Sequence, residues 1–398
     1  MIEDRVLIAG AGPVGLVAAA QLVRKGIPVT VLEAGNELSV ESRASTFHPP
    51  TLDMLEDLGV ARQLIGEGLT APKLQYRSKK DGVIAQFDFG EIADRTRHPY
   101  RVQSEQFKLT RILLAQLRND SNFRIEFGAR LENVAQDADG VRVSLRIDDR
   151  EQIRTGRWLI GADGARSEVR RSLGVEFEGF TWPERFLVLS TPFDFDAVMP
   201  DLVSVNYVAD PECWQFLLRI PGMWRVMFPI PQDVSDTAAL TPDFGQSLLR
   251  RVVPGITRFE IAHTTLYRVH QRVAKQFRVG RAFLAGDAAH INNPLGGMGM
   301  NGGIHDAVNL TSRLVAIYEG RAADHELDRY DAQRRLVTLE SVQTQTIQNK
   351  RDLEAKDEAS QAEFRDRLRG IAADPDARKR YLERVSMIAS LRRAEEVG

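Results

Sequence analysis

Gly10-Ala11-Gly12-Pro13-Val14-Gly15 follows a short β-prone run, Val6-Leu7-Ile8-Ala9, and opens a helical pattern over residues 14–25. Glycines at such a strand-to-helix turn permit a tight bend and let a pyrophosphate approach the unpaired N–H groups of the helix N-terminus. A second β-prone run, Val29-Thr30-Val31-Leu32, ends at Glu33, close to the distance at which an acid accepts hydrogen bonds from an adenosine ribose. Together these residues form a βαβ unit suited to an adenine dinucleotide. The charge of Glu33 repels a ribose 2′-phosphate, so the site suits FAD or NAD better than NADP.

Two further stretches carry glycines beside an acid. Ile160-Gly161-Ala162-Asp163-Gly164-Ala165-Arg166-Ser167 follows an apolar strand end, and Leu284-Ala285-Gly286-Asp287-Ala288-Ala289-His290 leads to Pro294-Leu295-Gly296-Gly297-Met298-Gly299-Met300-Asn301. An Asp-Gly pair alone reads as a turn. A glycine-rich run that opens a helix brings backbone close to a ligand and places positive N–H groups against developing negative charge.

In their order and length the three stretches resemble the single-component FAD-dependent aromatic hydroxylases, over about residues 5 to 335. The resemblance implies that FAD is held non-covalently by Gly10, Gly12, Gly15 and Glu33, with Gly286 and Asp287 at the ribitol chain. It further implies that Gly296, Gly297, Gly299, Met300 and Asn301 face the flavin pyrimidine edge, and that Asp163 serves both FAD and NAD(P)H. Arg43, in Ser42-Arg43-Ala44, matches an arginine lying along FAD. Gln106 matches a flavin-contacting residue that opens a helix, Gln103 being the less favoured claimant. The implied reaction passes hydride from NAD(P)H to FAD, adds O2 at flavin C4a, and delivers OH from the hydroperoxide to an activated ring, assisted by the Pro294 carbonyl. No second glycine fingerprint follows another βαβ unit, so NAD(P)H is expected to dock on the surface and meet a mobile flavin.

The substrate side is read from the stretch between the second and third motifs. Tyr207-Val208-Ala209-Asp210-Pro211 and 225–231 resemble, in spacing, the 4-hydroxybenzoate 3-hydroxylase branch of the family. That implies Tyr207 on the substrate phenol, Arg219 on a carboxylate and Arg225 near the flavin. Leu217 and Met227 stand where that branch has a serine and a tyrosine, which speaks against 4-hydroxybenzoate itself. Trp214, Phe216 and Met227 could wall the pocket, and His48 is a candidate base. The expected substrate is a small aromatic, phenolic or N-heteroaromatic, carrying an acidic group. The alternatives are a related flavoprotein performing epoxidation, halogenation or oxidative decarboxylation, or a non-catalytic flavin-binding protein.

The chain that must position these residues has 398 of them, 43% hydrophobic and 27% charged, as in an ordinary globular protein. The expected fold is α/β: a Rossmann-like FAD-binding domain over residues 1–75, 96–180 and 270–330, an antiparallel β-sheet substrate lobe over 76–95 and 181–269, and a helical C-terminal segment over 331–398. Short runs rich in Val, Phe, Tyr and Trp across 185–230 supply the sheet, and the Arg-, Glu- and Gln-rich tail reads as long helices with solvated faces. A net charge of −2 gives no footprint for nucleic acid. The lone Cys213 excludes an intrachain disulfide, and no Cys/His spacing resembles a metal site. With no long apolar run and a strand beginning at Val6, a cytoplasmic monomer or homodimer without membrane contact is expected.

Overall fold

The computed structural model describes residues 2–41, 44–354 and 357–397. Val6–Ala9, Val29–Leu32 and Trp158–Gly161 are buried at every position, as parallel strands covered on both faces must be. They lie in a six-stranded sheet whose order is Arg278–Val279, Ala282–Leu284, Trp158–Gly161, Val6–Ala9, Val29–Leu32 and Phe123–Glu126. The helices Pro13–Val23, Gln106–Leu117 and Met298–Tyr318, with a three-stranded antiparallel sheet spanning 130–156, share one apolar core with it.

Register is what makes this sheet functional. Ala9 pairs with Leu32 on one side and Gly161 on the other, and Gly161 pairs with Leu284. Four neighbouring parallel strands therefore end at one level, and the chain leaves them through Glu33, Gly10, Ala162-Asp163 and Ala285-Gly286. Ligands of open α/β sheets collect at this carboxyl edge.

The second large sheet has eight strands in the order His290–Ile291, His263–Ala274, Phe177–Thr191, Met223–Ile230, Gln215–Ile220, Val205–Ala209, Lys73–Ser78 and Gly82–Asp88. All its pairings are antiparallel except Val205–Ala209 with Lys73–Ser78. Phe177–Thr191 runs through Pro183, and its register against His263–Ala274 shifts between Thr181 and Arg185. Proline cannot donate to the ladder, so the strand bulges there. One face of this sheet carries Tyr76, Phe87, Tyr207, Phe216, Leu218 and Met227. The other packs Leu187, Leu217, Trp224, Val226 and Phe228 against the helix Pro242–Val252.

The tail is helical, as expected: Asp328–Val337, a π-helical turn Thr338–Gln343 and Thr344–Glu354 run on without a break, followed by Glu358–Ala373, Pro375–Val385 and Ile388–Glu395. Asp357 and Asp374 cap two of these by accepting from backbone N–H groups, and Pro375 occupies the first turn of its helix. Leu353, Phe364, Leu368, Tyr381 and Val385 bury themselves against the Tyr207 face of the large sheet. Among the described residues no helix is long and apolar enough to cross a membrane.

Candidate cofactor and substrate site

The three glycines of the first motif do different work. Gly10 has φ +101°, and a Cβ there would lie 2.4 Å from the Ala162 carbonyl oxygen; one on Gly15 would lie 2.0 Å from that of Gly10. Both are needed for strand and helix to touch. Around Gly12 nothing lies within 4 Å of where a Cβ would stand. Gly12 also caps Pro13–Val23 without a side-chain hydrogen bond, leaving the first-turn N–H groups facing open space. That is the cradle a pyrophosphate requires. Glu33 accepts from the Ala11 N–H at 2.7 Å and the Gly35 N–H at 2.8 Å, which orients its carboxylate and leaves lone pairs for a ribose.

Asp163 accepts from the N–H groups of Glu168 and Val169 at 2.7 and 3.1 Å, holding the start of the short helix Glu168–Ser172. Its other oxygen is buried without a partner among the described residues, and burial raises its pKa. Asp287 is exposed inside an otherwise buried run. Beneath it lies a constellation that the sequence reading passed over. Asp306 accepts from the Gly286 N–H at 3.0 Å, from His290 Nε2 at 2.8 Å and from Arg334 Nε at 2.7 Å, while the Tyr330 hydroxyl donates to the Leu284 carbonyl at 2.6 Å. Burial opposes the charge on Asp306, but His290 and Arg334 outweigh it and hold the carboxyl below the usual range. The available signal was an acid within the mostly apolar, glycine-rich start of a helix.

Gly296 and Gly297 have φ of +105° and +67°, and Gly297 caps Met298–Tyr318 without a side-chain bond, so no side chain caps this second helix N-terminus. Gly299 and Met300 follow in its first turn, half-buried. The Asn301 side chain accepts from the His48 N–H at 2.9 Å and donates to the carbonyls of Thr46 and Gly297 at 2.8 and 2.6 Å. Only its backbone remains for a cofactor. The Pro294 carbonyl accepts the Gly297 N–H at 3.0 Å, which uses one of its two lone pairs.

On the substrate sheet Tyr207 is buried and stacks on Tyr76 at 5.0 Å between ring centroids. Phe216 and Met227 share its face, and Trp214 joins the same core. Arg225 is paired in register with Leu218 on that face and reaches the Ser45 hydroxyl at 3.0 Å. Arg219 does not belong to this site. Side chains alternate along a strand, and Arg219 follows Leu218 onto the opposite face. There it is 46% exposed, paired with Asp196 at 2.6 Å and lying over Trp224. The carboxylate role expected of it is therefore withdrawn.

His48 is fully buried; its Nε2 lies 2.8 Å from the Gly296 carbonyl, and it caps the helix Pro49–Asp57. Burial, reinforced by the Arg101 guanidinium, pushes its pKa well below the ordinary value, so it is a structural imidazole and a poor base. Gln106 opens its helix half-buried, whereas Gln103 is fully buried with its amide nitrogen unpartnered among the described residues. Arg43 lies outside the described residues. Away from the site, Asp53, Glu56 and His98 bring possible metal-ligand atoms within 4.8 Å, but Asp53 already accepts from Thr96, Arg97 and His98.

These buried histidines have a consequence for pH. Burial pushes His305, bonded to Thr51 at 2.9 Å, down to about 3 from an ordinary 6.5, and His48 falls in the same direction. An imidazole kept neutral in the fold but protonated in the unfolded chain gives stability that is fully present above its unfolded pKa and lost as pH falls below it. Each group should remove about 1.4 kcal/mol per pH unit once its unfolded form is protonated. Thermal melts of the protein at intervals from pH 7 to pH 5 should show a steady decline, shallower in His305→Gln. A flat profile would contradict the neutral assignment.

Residues 3–345 match the family described as FAD binding domain. The chain is 35% identical over 345 residues to para-nitrophenol 4-monooxygenase of a Pseudomonas species, covering 85% of this chain and 84% of that protein. It is 34% identical over 356 residues to 6-hydroxy-3-succinoylpyridine 3-monooxygenase of Pseudomonas putida, covering 88% and 89%. The crystal structure of a p-nitrophenol 4-monooxygenase from Pseudomonas putida superposes with a TM-score of 0.90 at 30% identity, over 96% of this chain and 98% of that one.

Proposed function

The chain belongs to the FAD-dependent aromatic hydroxylases that carry this FAD binding domain, and from that premise we propose that it inserts one oxygen atom into a small hydroxylated aromatic ring, with NAD(P)H as reductant. The observation that carries the reading is the shared carboxyl edge: Gly10, Glu33, Asp163 and Gly286 leave adjacent strands at one level. Relatives named for a nitrophenol and a hydroxypyridine support a phenolic or N-heteroaromatic hydroxyl as the feature recognised.

In this reading the first-turn N–H groups after Gly12 hold the pyrophosphate, Glu33 the ribose and Asp287 the ribitol chain. The helix opening at Gly297 faces the flavin pyrimidine edge, and Arg225 and Gln106, with the buried Gln103 as the alternative to Gln106, supply polar contacts near the ring. Bound FAD would supply the redox chemistry, taking hydride from NAD(P)H and activating O2. The chain's own contribution is to orient the ring against the Tyr207 face and to exclude water, for which the tail helices buried on that face are placed. Loss of an acidic-group partner at Arg219 removes the reason to require a carboxylate on the substrate. The single cysteine, Cys213, buried with its thiol pushed up to about 11 by desolvation, fits a reducing cytoplasm.

The experiment compares flavin retention in the purified protein and in Asp287→Ala. The parent is expected to be yellow and to release FAD on denaturation. Losing a hydrogen bond to a charged acceptor should weaken FAD binding by about 1.5–3 kcal/mol while leaving the fold intact. A folded Asp287→Ala protein that binds FAD as tightly as the parent would remove Asp287 from the cofactor site.

A further inference from the structure

A cavity of about 440 Å³ lies among the tail helices. Its inner wall is buried and includes Tyr76, Asn349 and Met298, the last being the first residue of the helix that opens after Gly297. Its outer rim, made by Glu340, Gln348, Arg367 and Arg384, is exposed. The cavity therefore runs from solvent to the back of the glycine loop 294–297. A Cβ on Gly296 would lie 3.2 Å from Asn349 Nδ2 and 3.4 Å from Met298 Cε, so these two side chains separate the cavity from the loop. Tyr207, only 2% exposed beneath the tail, turns its hydroxyl toward the Gly296 backbone from the other side.

The two separating side chains are held differently. Asn349 accepts from Gln345 at 2.7 Å and donates to the Leu295 carbonyl at 3.4 Å. Met298 is held by packing: with Val342 and Met387 it forms a small apolar cluster apart from the three large cores. An unbranched thioether side chain repacks easily, and Val342 belongs to the π-helical turn Thr338–Gln343, an irregularity frequent at functional sites. Met298 is the movable part of the wall.

Charge at the rim favours one class of visitor. Glu340 pairs with Arg393 at 3.1 Å and Asp352 with Arg367 at 2.5 Å, so the acids of the lining are neutralised. Arg384 lies over the Tyr381 ring, 5.4 Å from its centroid, and among the described residues no carboxylate pairs with it. One uncompensated cation thus stands at the mouth of a passage whose inner wall is aromatic and thioether.

Resting on the hydroxylase reading above, we infer that small acidic aromatics enter and leave the ring site through this cavity, with Met298 as its gate. Arg384 raises the local concentration of anionic rings at the mouth, and the gate closes behind the ring to keep water from the reaction.

The test plugs the mouth after the protein has folded. Ala389 lines the cavity and is half-buried, and the one native thiol, Cys213, is buried, so an Ala389→Cys holoenzyme can be labelled selectively with a bulky methanethiosulfonate and unlabelled with a reductant. Stopped-flow absorbance of the flavin follows association of 4-nitrophenol. Labelling should slow association by about tenfold or more, with FAD content and substrate-free reduction by NAD(P)H unchanged, and reductant should restore the rate. Ala389→Trp should slow it permanently. Arg384→Glu should slow 4-nitrophenol several-fold at a pH where it is ionised, the effect fading at high salt, and should leave neutral phenol unaffected. Unchanged association in the labelled protein overturns the inference, and so does a thiol that the reagent cannot reach, since the cavity would then be closed to solvent. In either case phenol-stimulated NAD(P)H oxidation would show that the hydroxylase reading stands and only the passage fails. If no phenol binds or stimulates the unmodified protein, that reading itself fails.

Discussion

Asp306→Ala is expected to lower the stability of the protein by about 3–5 kcal/mol, because it removes the acceptor from a buried ion pair and leaves the Arg334 guanidinium uncompensated. Arg334 is 1% exposed and Asp306 is fully buried, so water cannot replace the lost partner. The same deletion frees the Gly286 N–H and His290 Nε2, both of which Asp306 holds, and so loosens the turn that presents Asp287. Loss of FAD affinity should accompany loss of stability. Asp306→Asn keeps an acceptor but not the charge, and should fall between the parent and Asp306→Ala. The sign with pH follows from the depressed carboxyl: its contribution is present above the ordinary value of 3.8 and is lost as pH falls through the lower folded value. Urea denaturation of parent and variants at neutral pH measures the effect, and a change under about 1 kcal/mol would show that the constellation relaxes without cost.

Gly12→Ala and Gly15→Ala should separate cofactor binding from folding. A methyl group on Gly15 would stand 2.0 Å from the Gly10 carbonyl oxygen, and backbone on both sides cannot yield as a flexible side chain would. The expected cost is at least the roughly 1–3 kcal/mol of an overpacked core, with FAD lost because the turn is forced open. On Gly12 the methyl meets nothing within 4 Å, so the apoprotein should melt close to the parent. It occupies the space reserved for pyrophosphate, however, and FAD affinity should drop at least tenfold, about 1.4 kcal/mol. Flavin content and apoprotein melting temperature read the two effects separately. Equal FAD retention in Gly12→Ala would displace the pyrophosphate from this turn.

The nucleotide half of the fold was legible because its signals are local. Fully apolar runs such as Val6–Ala9, a glycine turn and the acid at 33 each act within a few residues, and a helix does open at Gln106. The tail was legible as helix but not as core, since its apolar residues are sparse among charges, and only packing on the distant sheet reveals Phe364, Leu368 and Tyr381 as core. Arg219 was misplaced because matching motif spacing ignores alternation: a position one residue from Leu218 is on the other face.

The central claim, that this chain transfers oxygen from O2 to a phenolic ring, is tested most directly by isotope. Purified holoenzyme is supplied with NADH or NADPH and a panel of phenols and hydroxypyridines under oxygen-18 gas, and the products are weighed by mass spectrometry. At least one ring should accelerate NAD(P)H oxidation and yield a product carrying one oxygen-18 atom bonded to carbon. If no ring accelerates it, or if the product's new oxygen comes from water, the chain is not a monooxygenase of this kind.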